Sequence, residues 1–378
     1  MSRKTIPLLI ALAAPLLASC AWAQGVRSNL ESESGPLRVE TIADGLSGPW
    51  GAVFLPDGSM LVTERSGTLR RVSLEGEVSD PIQGTPEVVA RGQGGLLDVA
   101  LDPQFDQNRL VYLSFSEGRG DGAGTSAGRG RLNEDATALE DFQVIFRQEP
   151  AVSGGNHFGS RLAFSPDGHL FVTMGDRFDH MQEAQNVSNL LGKVVRINPD
   201  GSIPEDNPFV GREGADEIWS YGHRNVQGAA IHPETGKLWI SELGPRGGDE
   251  VNIPEAGKNY GWPLVSHGRH YSGERIPEPS TQPEFVDAIY FWDPVISPSG
   301  IAFVTGDAFP DWQGDLLLAG LSSQAIVRLD LEGERAVGEE RIDMGARIRD
   351  VLFGPDGQLY ALTDGEGGAV IRISRQEG

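Results

Sequence analysis

The chain has 378 residues, with 31 Lys and Arg against 54 Asp and Glu, which gives a formal net charge of −23. Such an acidic chain argues against nucleic acid or anionic lipid as the main partner, because both would repel it. Cys20 is the only cysteine, so a mature chain without its N-terminal segment can form neither a disulfide nor a thiolate site. The 50 Gly and 24 Pro residues, with no long segment of helical period, favour an all-β fold.

The N-terminal segment has the features of a secretory signal. Two basic residues precede an apolar run over 6–18, which is too short to remain as a transmembrane helix. Two processing routes fit the residues that follow. Cleavage after Ala23 would release a periplasmic or secreted protein, whereas lipidation of Cys20 would anchor the protein to a membrane. We therefore predict a signal peptide over 1–23 and a single domain over 24–378.

One pattern recurs along the rest of the chain: an apolar residue, a turn that contains proline, and a strand with alternating apolar residues. The clear copies are FLPDGSMLVTE (54–64), FSPDGHLFVTM (164–174), IHPETGKLWIS (231–241) and FGPDGQLYALT (353–363). Looser copies lie at 101–115 and 303–320. These six strand–turn–strand units, none of which could bury its apolar face alone, predict a six-bladed β-propeller.

The third unit, 164–174, predicts a contact between a histidine and a carboxylate. If Pro166 to Gly168 form its turn, Asp176 lies opposite Phe158 and therefore beside His157. A carboxylate fixes the tautomer of a neighbouring imidazole and supports its charge after proton uptake, so His157 is a candidate general base. The alternative is a hydrogen-bonded loop histidine without a catalytic role.

Two other units place arginines at the same end of the predicted strands. The predicted pairs are Arg224 with Pro245, Asn225 with Gly244, and Arg347, Ile348 and Arg349 with Thr363 to Gly365. Equivalent strand ends share one face of a propeller, so we expect these residues to meet Gln93 and His157 at one mouth of the central channel. An arginine there, such as Arg224, could stabilise negative charge on an oxygen that accepts electrons.

Seven motifs also occur in the same order as in a known family. They are GQGGLLDVALDP (92–103), NHFGSRLAFSPDG (156–168), GDR (175–177), SYGHRNVQG (220–228), ELGPRGGDEVN (242–252), NYGWP (259–263) and ARIRDV (346–351). The chain thereby resembles the soluble PQQ-dependent aldose sugar dehydrogenases, in the glucose/sorbosone dehydrogenase family, from about Thr41 to Arg372. The resemblance implies a six-bladed propeller that binds pyrroloquinoline quinone (PQQ) over the channel mouth and oxidises the anomeric carbon of an aldose to a lactone.

The resemblance further implies roles for single residues. His157 corresponds to the base that takes the sugar hydroxyl proton, Asp176 to its orienting partner, and Arg224 to a catalytic group that polarises the quinone with Asn225. The positions that correspond to cofactor contacts are Gln93, His157, Arg224, Asn225, Tyr271, Gly320, Leu321, Ser322, Arg347, Ile348 and Arg349. Guanidinium groups such as those of Arg347 and Arg349 suit the three carboxylates of PQQ.

Calcium is implied by the same resemblance. Gly244 and Pro245 resemble a loop whose backbone carbonyls hold a Ca²⁺ between protein and quinone, where the cation acts as a Lewis acid. Glu250 and the carbonyl of Tyr260 match a second, structural calcium site. Without the resemblance, the residues around Glu250 would be interpreted as an exposed acidic turn.

One position departs from the family pattern. Ser322 aligns with a lysine that family members tend to place against the quinone, so the sequence predicts weaker cofactor binding. The alternative is a rearranged loop in which Ser322 faces solvent. Two other functions stay open: a calcium-dependent propeller lactonase, and a non-catalytic propeller that binds a glycan or a protein. The expected partners are an aldose and an electron acceptor, and the sequence identifies neither this acceptor, the preferred sugar nor the oligomeric state.

Overall fold

The computed structural model describes residues 27–376. The predicted signal peptide and Cys20 lie outside the described residues, so both processing routes stay predictions, as does the domain boundary at residue 24. Across residues 27–376, no helix is both long enough and apolar enough to cross a membrane.

The described chain begins with two paired strands, β1 (Arg27–Ser32) and β2 (Gly35–Ser47). The first sheet then contains β3 (Pro49–Phe54), β4 (Met60–Glu64) and β5 (Thr68–Val72). The second sheet contains β6 (Leu96–Leu101), β7 (Leu110–Arg119), β8 (Gly122–Leu132) and β9 (Leu139–Arg147). The third sheet contains β10 (Leu162–Phe164), β11 (Leu170–Thr173), β12 (Lys193–Ile197) and β13 (Ile218–Tyr221).

Three more sheets complete the structure. The fourth contains β14 (Val226–Ile231), β15 (Leu238–Glu242), β16 (Asp249–Asn252) and β17 (Tyr290–Trp292). The fifth contains β18 (Pro298–Phe303), β19 (Leu316–Gly320), β20 (Ala325–Glu332) and β21 (Arg335–Asp343). The sixth contains β22 (Ile348–Phe353), β23 (Leu359–Thr363) and β24 (Glu366–Arg375). The helical segments are single turns: α1 (Phe105–Asn108) and the 3-10 turns Met181–Gln185, Pro279–Thr281 and Pro310–Trp312.

The first strand of each sheet faces a common axis. Strands β3, β6, β10, β14, β18 and β22 contact one another in that order, and β22 contacts β3 to close the ring. The predicted six-bladed β-propeller is therefore confirmed. Each of the six strand–turn–strand units found in the sequence supplies the two innermost strands of one sheet.

The sixth sheet is closed by strands from both ends of the described chain. Strand β2 pairs with β24, from Leu37 opposite Arg375 to Ser47 opposite Glu366, and β1 adds the outermost strand. No pattern in the sequence predicted this pairing, because β1 and β2 lack the proline turn of the six units. The pairing ties the first and last sheets together, so the ring does not rely on side-chain packing alone at that point.

Apolar side chains fill the spaces between neighbouring sheets. One buried cluster joins Leu317 and Ile326 of the fifth sheet to Val351 and Leu359 of the sixth. Side chains alternate between the two faces of a strand, so each sheet can pack against both of its neighbours. This packing makes the ring a fixed frame for the loops at its two ends.

The register predicted for the third unit is confirmed. Leu162 lies opposite Val172, and Phe164 lies opposite Leu170, with the turn at residues 166–168 as predicted. The regular alternation of a short hairpin set this register, because a shift by one residue would turn its apolar side chains to the wrong face.

The registers predicted for the fourth and sixth units are wrong by one residue near the mouth. Asn225 accepts the N–H of Leu243 at 3.1 Å, so it lies opposite Leu243 and not Gly244. Likewise, Thr363 lies opposite Ile348 and not Arg349. The physical reason is a β-bulge in each inner strand, which inserts one extra residue and shifts all pairs beyond it. The bulges lie between Val226 and Gly228 and between Ile348 and Asp350.

Candidate active site

At the N-terminal ends of the inner strands, here called the mouth, the loops surround a cavity of about 270 Å³. Four of the predicted site residues line it: Gln93, Leu321, Arg347 and Arg349. Trp50, Arg65, Gln227 and Asp364 line it too, although the sequence analysis did not single them out. The predicted convergence of several blades on one mouth is therefore present in the structure.

His157 and Asp176 form a buried pair at this mouth. Nδ1 of His157 lies 2.7 Å from Oδ1 of Asp176, and the backbone N–H of His157 donates to Oε1 of Gln93 at 2.8 Å. When Nδ1 carries the proton that faces the carboxylate, Nε2 keeps its lone pair and can accept a proton. The geometry is therefore that of an oriented general base.

The carboxylate of Asp176 is held by two further donors. The indole N–H of Trp262 donates to its Oδ2 at 2.8 Å, and the backbone N–H of Phe178 donates to its Oδ1 at 2.7 Å. Trp262 reaches Asp176 from the loop between β16 and β17, the third and fourth strands of the fourth sheet, a contact that local sequence patterns do not reveal. These bonds fix the orientation of the carboxylate and, through it, that of the His157 ring.

The surroundings set the protonation states of the pair. Burial lowers the pKa of His157, with a further lowering by the Arg224 charge, although the hydrogen bond to Asp176 opposes both. Burial alone would raise the pKa of Asp176, but the hydrogen bond and charge of His157, with the Arg224 charge, bring it below the ordinary value. At neutral pH the pair therefore consists of a neutral imidazole and a charged carboxylate, the form that accepts a proton.

Close backbone packing places His157. Its φ of +53° is in the left-handed region, which is uncommon for a residue with a side chain. Gly175 lies so close that a Cβ at this position would overlap the carbonyl oxygen of His157. The glycine thus allows the end of β11 to reach the His157 loop, which brings Asp176 within hydrogen-bonding distance.

Arg224 and Asn225 each keep one donor without a partner. Arg224 donates through Nη1 to the carbonyls of Leu243 at 2.9 Å and Gly244 at 2.7 Å, and through Nη2 to the Tyr271 hydroxyl at 3.0 Å. Within the described part of the chain, the buried atoms Nε of Arg224 and Nδ2 of Asn225 have no hydrogen-bond partner. A buried donor without a partner costs about 1–3 kcal/mol, so this pair of donors indicates a binding site for an acceptor atom.

The cavity is cationic. Arg349 donates to Asp364 through Nε at 2.9 Å and Nη2 at 2.7 Å, and Arg347 donates to the other carboxylate oxygen at 2.8 Å. Although burial would raise the pKa of Asp364, these two arginines lower it below its usual range. Arg65 adds a third guanidinium to the cavity wall. Three arginines with one carboxylate leave a net positive charge in this wall.

Arg65 and Asp364 could have been found from the sequence by a rule already used for Asp176. In the third unit, Asp176 follows the second strand of the hairpin and reaches the mouth. Arg65 directly follows β4, and Asp364 directly follows β23. The position after the second strand is therefore a site position in several blades, and the same reasoning applied to every unit would have identified both residues.

Three of the predicted cofactor positions, Ser322, Ile348 and Gly320, offer no side chain to the cavity. Ser322 is exposed, and its hydroxyl donates to the carbonyl of Val295 at 3.4 Å. Of the two arrangements expected for this loop, the structure has the one in which Ser322 faces solvent. The side chain of Ile348 is buried in the apolar cluster of the sixth sheet, so only its backbone can serve the mouth. Gly320 ends β19 opposite Pro298 and can likewise contribute only backbone.

The residues of the two predicted calcium sites lie close together. Gly244, Glu250 and Tyr260 line one small cavity of about 10 Å³, together with Glu242 and Arg224, while Pro245 is the next residue of the loop. A space of this size suits one water molecule or one ion. Burial and the negative charge of Glu242 raise the pKa of Glu250 well above its usual value. A dication would relieve this repulsion between two carboxylates.

The cavity of about 10 Å³ offers few side-chain ligands for a metal ion. Among the described residues, no group of three or more His, Cys, Asp or Glu side chains is arranged to hold a metal ion. A cation between Glu242 and Glu250 would therefore depend on backbone carbonyls for its other ligands. Asn252 already lies between the two carboxylates, since its Nδ2 is 3.2 Å from an oxygen of each.

Two exposed aromatic rings border the approach to His157. The ring of Phe178 meets the imidazole edge-on, with 5.0 Å between ring centroids, and the ring of Tyr271 lies 5.9 Å from Phe178. Both rings are open to solvent.

The sequence of the chain is similar to the sequences of known enzymes. The family model for glucose/sorbosone dehydrogenase matches residues 46–372. Aldose sugar dehydrogenase YliI of Escherichia coli (strain K12) is 45% identical over 367 residues, which cover 95% of this chain and 96% of that protein.

Solved structures show the same similarity. A crystal structure of a glucose dehydrogenase superimposes with a TM-score of 0.87 at 48% identity, over 89% of this chain and 99% of that one. The PQQ-bound aldose sugar dehydrogenase of Streptomyces coelicolor superimposes with a TM-score of 0.74 at 30% identity, over 89% of this chain and 98% of that one. The similarity therefore covers nearly all of the described propeller.

Proposed function

Because the chain belongs to the glucose/sorbosone dehydrogenase family, a family of oxidoreductases, we propose that it oxidises aldoses at the anomeric carbon to lactones, with PQQ and Ca²⁺ as cofactors. The observation that carries this proposal is the pair of unpartnered buried donors, Arg224 Nε and Asn225 Nδ2, at the same mouth as the His157–Asp176 pair. Together they provide a base for a hydroxyl proton and donors for an oxygen that gains negative charge.

The residues at the mouth fit PQQ. Asn225 and Arg224 would donate to its quinone oxygens, and the guanidinium groups of Arg65, Arg347 and Arg349 would face its carboxylates. Gln93 already orients the backbone of His157 at 2.8 Å and lines the same cavity, so it would contact both base and cofactor. When bound, PQQ supplies a quinone that accepts two electrons from the sugar. The PQQ-bound relative from Streptomyces coelicolor supports this assignment.

His157 performs the proton transfer in this proposal. Its Nε2 takes the proton of the anomeric hydroxyl, and the imidazolium that forms is stabilised by the charged Asp176 at 2.7 Å. Trp262 and Phe178 hold the carboxylate in place, so the ring does not have to reorient during the step. The lowered pKa of His157 keeps the imidazole free to accept a proton at neutral pH.

Calcium would be held near Arg224 and the loop at Gly244. In this proposal the carbonyls of Gly244 and Pro245 serve the cofactor-linked ion, and Glu250 with the Tyr260 carbonyl serves a structural ion. The support is the small cavity shared by Gly244, Glu250 and Tyr260, and the repulsion that raises the pKa of Glu250. A bound Ca²⁺ would lower that pKa and remove the repulsion.

A spectral titration tests the proposal. PQQ is added to purified protein in Ca²⁺ buffer, and then dye reduction is measured with and without a panel of aldoses. We expect saturable cofactor binding, aldose-dependent dye reduction and a lactone product, with loss of both binding and activity after chelation of Ca²⁺. Saturable PQQ binding without sugar-dependent reduction would contradict the proposed reaction. Lactone hydrolysis in the absence of PQQ would instead indicate the lactonase alternative.

A further inference from the structure

Three arginines form a row on a short ribbon beside the mouth. The backbone N–H of Arg246 donates to the carbonyl of Arg269 at 3.1 Å, and the reverse bond measures 2.9 Å. Arg269 also bridges Arg275 in antiparallel fashion. Residues directly opposite each other on antiparallel strands project from the same face, so the three guanidinium side chains leave one side of the ribbon together. All three are exposed.

This arginine row has no acidic partner within the described residues: no carboxylate oxygen lies within 4.0 Å of any of the three guanidinium groups. Arg347 and Arg349, by contrast, share Asp364. Like charges directly opposite each other destabilise a ribbon. The row therefore presents guanidinium groups that no salt bridge among the described residues holds, and they remain available to an acidic partner.

The row is continuous with the proposed active site. Arg246 is two residues beyond Gly244, and Tyr271 lies in the turn between Arg269 and Arg275. The Tyr271 hydroxyl accepts a hydrogen bond from Arg224 at 3.0 Å. Two exposed aromatic rings lie beside the row: Tyr271, which is 57% exposed, and Phe178, which is 39% exposed and lies 5.9 Å from the Tyr271 ring. An apolar centre with a charged border is typical of a protein interface.

We propose that the arginine row is the docking surface for an acidic one-electron carrier protein that reoxidises the enzyme. This inference rests on the proposed function. Conversion of an aldose to a lactone breaks one C–H and one O–H bond and releases two electrons and two protons. Two oxidised carrier molecules take one electron each, and both protons pass to solvent, so the enzyme returns to its starting state.

The charge distribution selects an acidic carrier. A net charge of −23 repels an acidic protein at long range, but salt screens exposed charges beyond about 8–10 Å. Contact is therefore decided by the local charge, which at the arginine row is positive. A basic carrier would be attracted to most of the surface and repelled at the mouth, where electrons leave.

The position of the row favours a protein over an anionic sugar. None of Arg246, Arg269 and Arg275 lines the cavity of about 270 Å³ that we assign to the cofactor. Their side chains project from an outer ribbon, where a flat partner can contact all three at once. Binding of an anionic sugar by the row is the alternative, and the test distinguishes it from docking of a protein.

The test compares two triple variants with the same change in charge. One is Arg246→Glu with Arg269→Glu and Arg275→Glu. The control is Arg38→Glu with Arg212→Glu and Arg335→Glu, exposed residues of β2, of the loop between β12 and β13, and of the first position of β21. The acceptors are native mitochondrial cytochrome c, which is basic, the same protein with succinylated lysines, which is acidic, and neutral 1,4-benzoquinone.

We expect the holoenzyme of the first variant to reduce succinylated cytochrome c about tenfold to a hundredfold more slowly than wild type at low ionic strength. The difference should shrink at about 0.5 M salt, because the interaction is screened. The control variant should stay within about twofold of wild type, and benzoquinone reduction should be unchanged in both variants.

Three results would overturn the docking surface. They are an equal loss in both variants, an equal loss with benzoquinone, and a changed KM for a uronic acid with an unchanged rate for succinylated cytochrome c. If the first variant does not fold, the wild-type protein alone can test the docking surface. Its rate with succinylated cytochrome c must fall as salt rises. At low salt, that rate must also exceed the rate with native, basic cytochrome c. A wild type that reduces no acceptor with any aldose would refute the proposed function itself, a result distinct from those three.

Discussion

The hairpin of β10 and β11 carries a histidine–aspartate pair at each of its two ends. At the mouth, Nδ1 of His157 lies 2.7 Å from Asp176, and the two side chains are only 6% and 1% exposed. At the turn, Nδ1 of His169 lies 3.0 Å from Asp167, and the corresponding exposures are 21% and 62%. The two pairs have the same chemical groups at similar distances, but only the mouth pair is hydrogen-bonded, since Nδ1 of His169 has no hydrogen-bond partner among the described residues. Their surroundings differ as well.

Those surroundings make only the mouth pair a candidate base. Water competes for the exposed Asp167, whose carboxylate otherwise receives the Ser165 hydroxyl within its own turn. Asp176 is held by Trp262 from a distant loop, and burial lowers the pKa of His157. A histidine beside a carboxylate is therefore a weak signal by itself. Burial and a second set of donors distinguish the candidate base at the mouth from the pair at the turn.

Deletion of each histidine in turn tests the difference between the two pairs. His157→Ala should lower turnover of the PQQ-loaded protein by about two to four orders of magnitude, the usual contribution of a positioned base. His169→Ala, the matched control at the other end of the hairpin, should leave turnover unchanged. PQQ binding, followed by absorbance, should persist in both. Equal turnover in the two variants would remove the distinction between the pairs.

The second prediction concerns the opposite opening of the channel, a cavity of about 330 Å³ lined in part by Asp98, Arg161 and Asp350. Arg161 pairs with Asp98 at 3.0 Å and with Asp350 at 3.1 Å, and all three are buried. Arg161→Met would leave two buried carboxylates without a cation, so the free energy of unfolding should fall by about 3–5 kcal/mol. Chemical denaturation measures this loss.

The loss at Arg161 should also depend on pH. Burial raises the pKa of Asp350 to about 6 even with Arg161 present, and removal of the guanidinium raises it further. Protonation below this pKa removes an unpaired charge, so the destabilisation should be smaller at pH 5 than at pH 8. Arg131→Met, which breaks the exposed pair with Glu140, should cost less than about 1 kcal/mol at either pH. A pH-independent loss at Arg161 would contradict this description of the ion pairs.

A third variant separates orientation from proton transfer. Asp176→Asn keeps the imidazole but removes a charge-assisted hydrogen bond of about 1.5–3 kcal/mol, so turnover should fall about tenfold to a hundredfold, less than in His157→Ala. Because Asp176 raises the pKa of His157, its neutralisation should move the acid limb of the pH–rate profile to lower pH. In the wild type that limb should already lie below about 6.5, the ordinary pKa of an imidazole. A limb that moves to higher pH in the variant would show that another group titrates.

The smallest effect is expected at Ser322. Since this residue is exposed and its hydroxyl bonds the Val295 carbonyl, Ser322→Lys should add a solvated charge and change the PQQ dissociation constant by less than about threefold. Titration of PQQ at low and high salt measures this change. A gain of tenfold or more at low salt would instead support the cofactor-facing position predicted from the family pattern.

The sequence predicted the architecture because the regular parts of the hairpins obey simple rules. Proline turns and alternating apolar residues set the six inner hairpins, and the pairing of Leu162 with Val172 followed directly. The contact of His157 with Asp176 could be predicted for the same reason. Pairing beyond Val226 and Ile348 was wrong by one residue, because pairing counted from the turn assumes a regular strand and each inner strand has a β-bulge there.

The other features that the sequence did not predict depend on tertiary contacts. Trp262 donates to Asp176 across 86 residues of chain, and Trp50 lies beneath the guanidinium of Arg161 at 4.2 Å. Neither contact has a periodic pattern. Ser322 was placed by alignment to a family lysine, but the loop after β19 turns this side chain to solvent. Patterns thus predicted which strand ends meet, whereas side-chain direction required the structure.

The unpartnered donors lead us to expect the cofactor at the mouth, and not at the opposite opening, where two carboxylates share one arginine. A crystal structure of the protein grown with PQQ and Ca²⁺ tests this claim most directly. We predict electron density for PQQ at the mouth, with Asn225 Nδ2 and Arg224 Nε in hydrogen-bond contact and His157 beside the quinone. Density for PQQ in the opening lined by Asp98 and Asp350, with none at the mouth, would contradict the account.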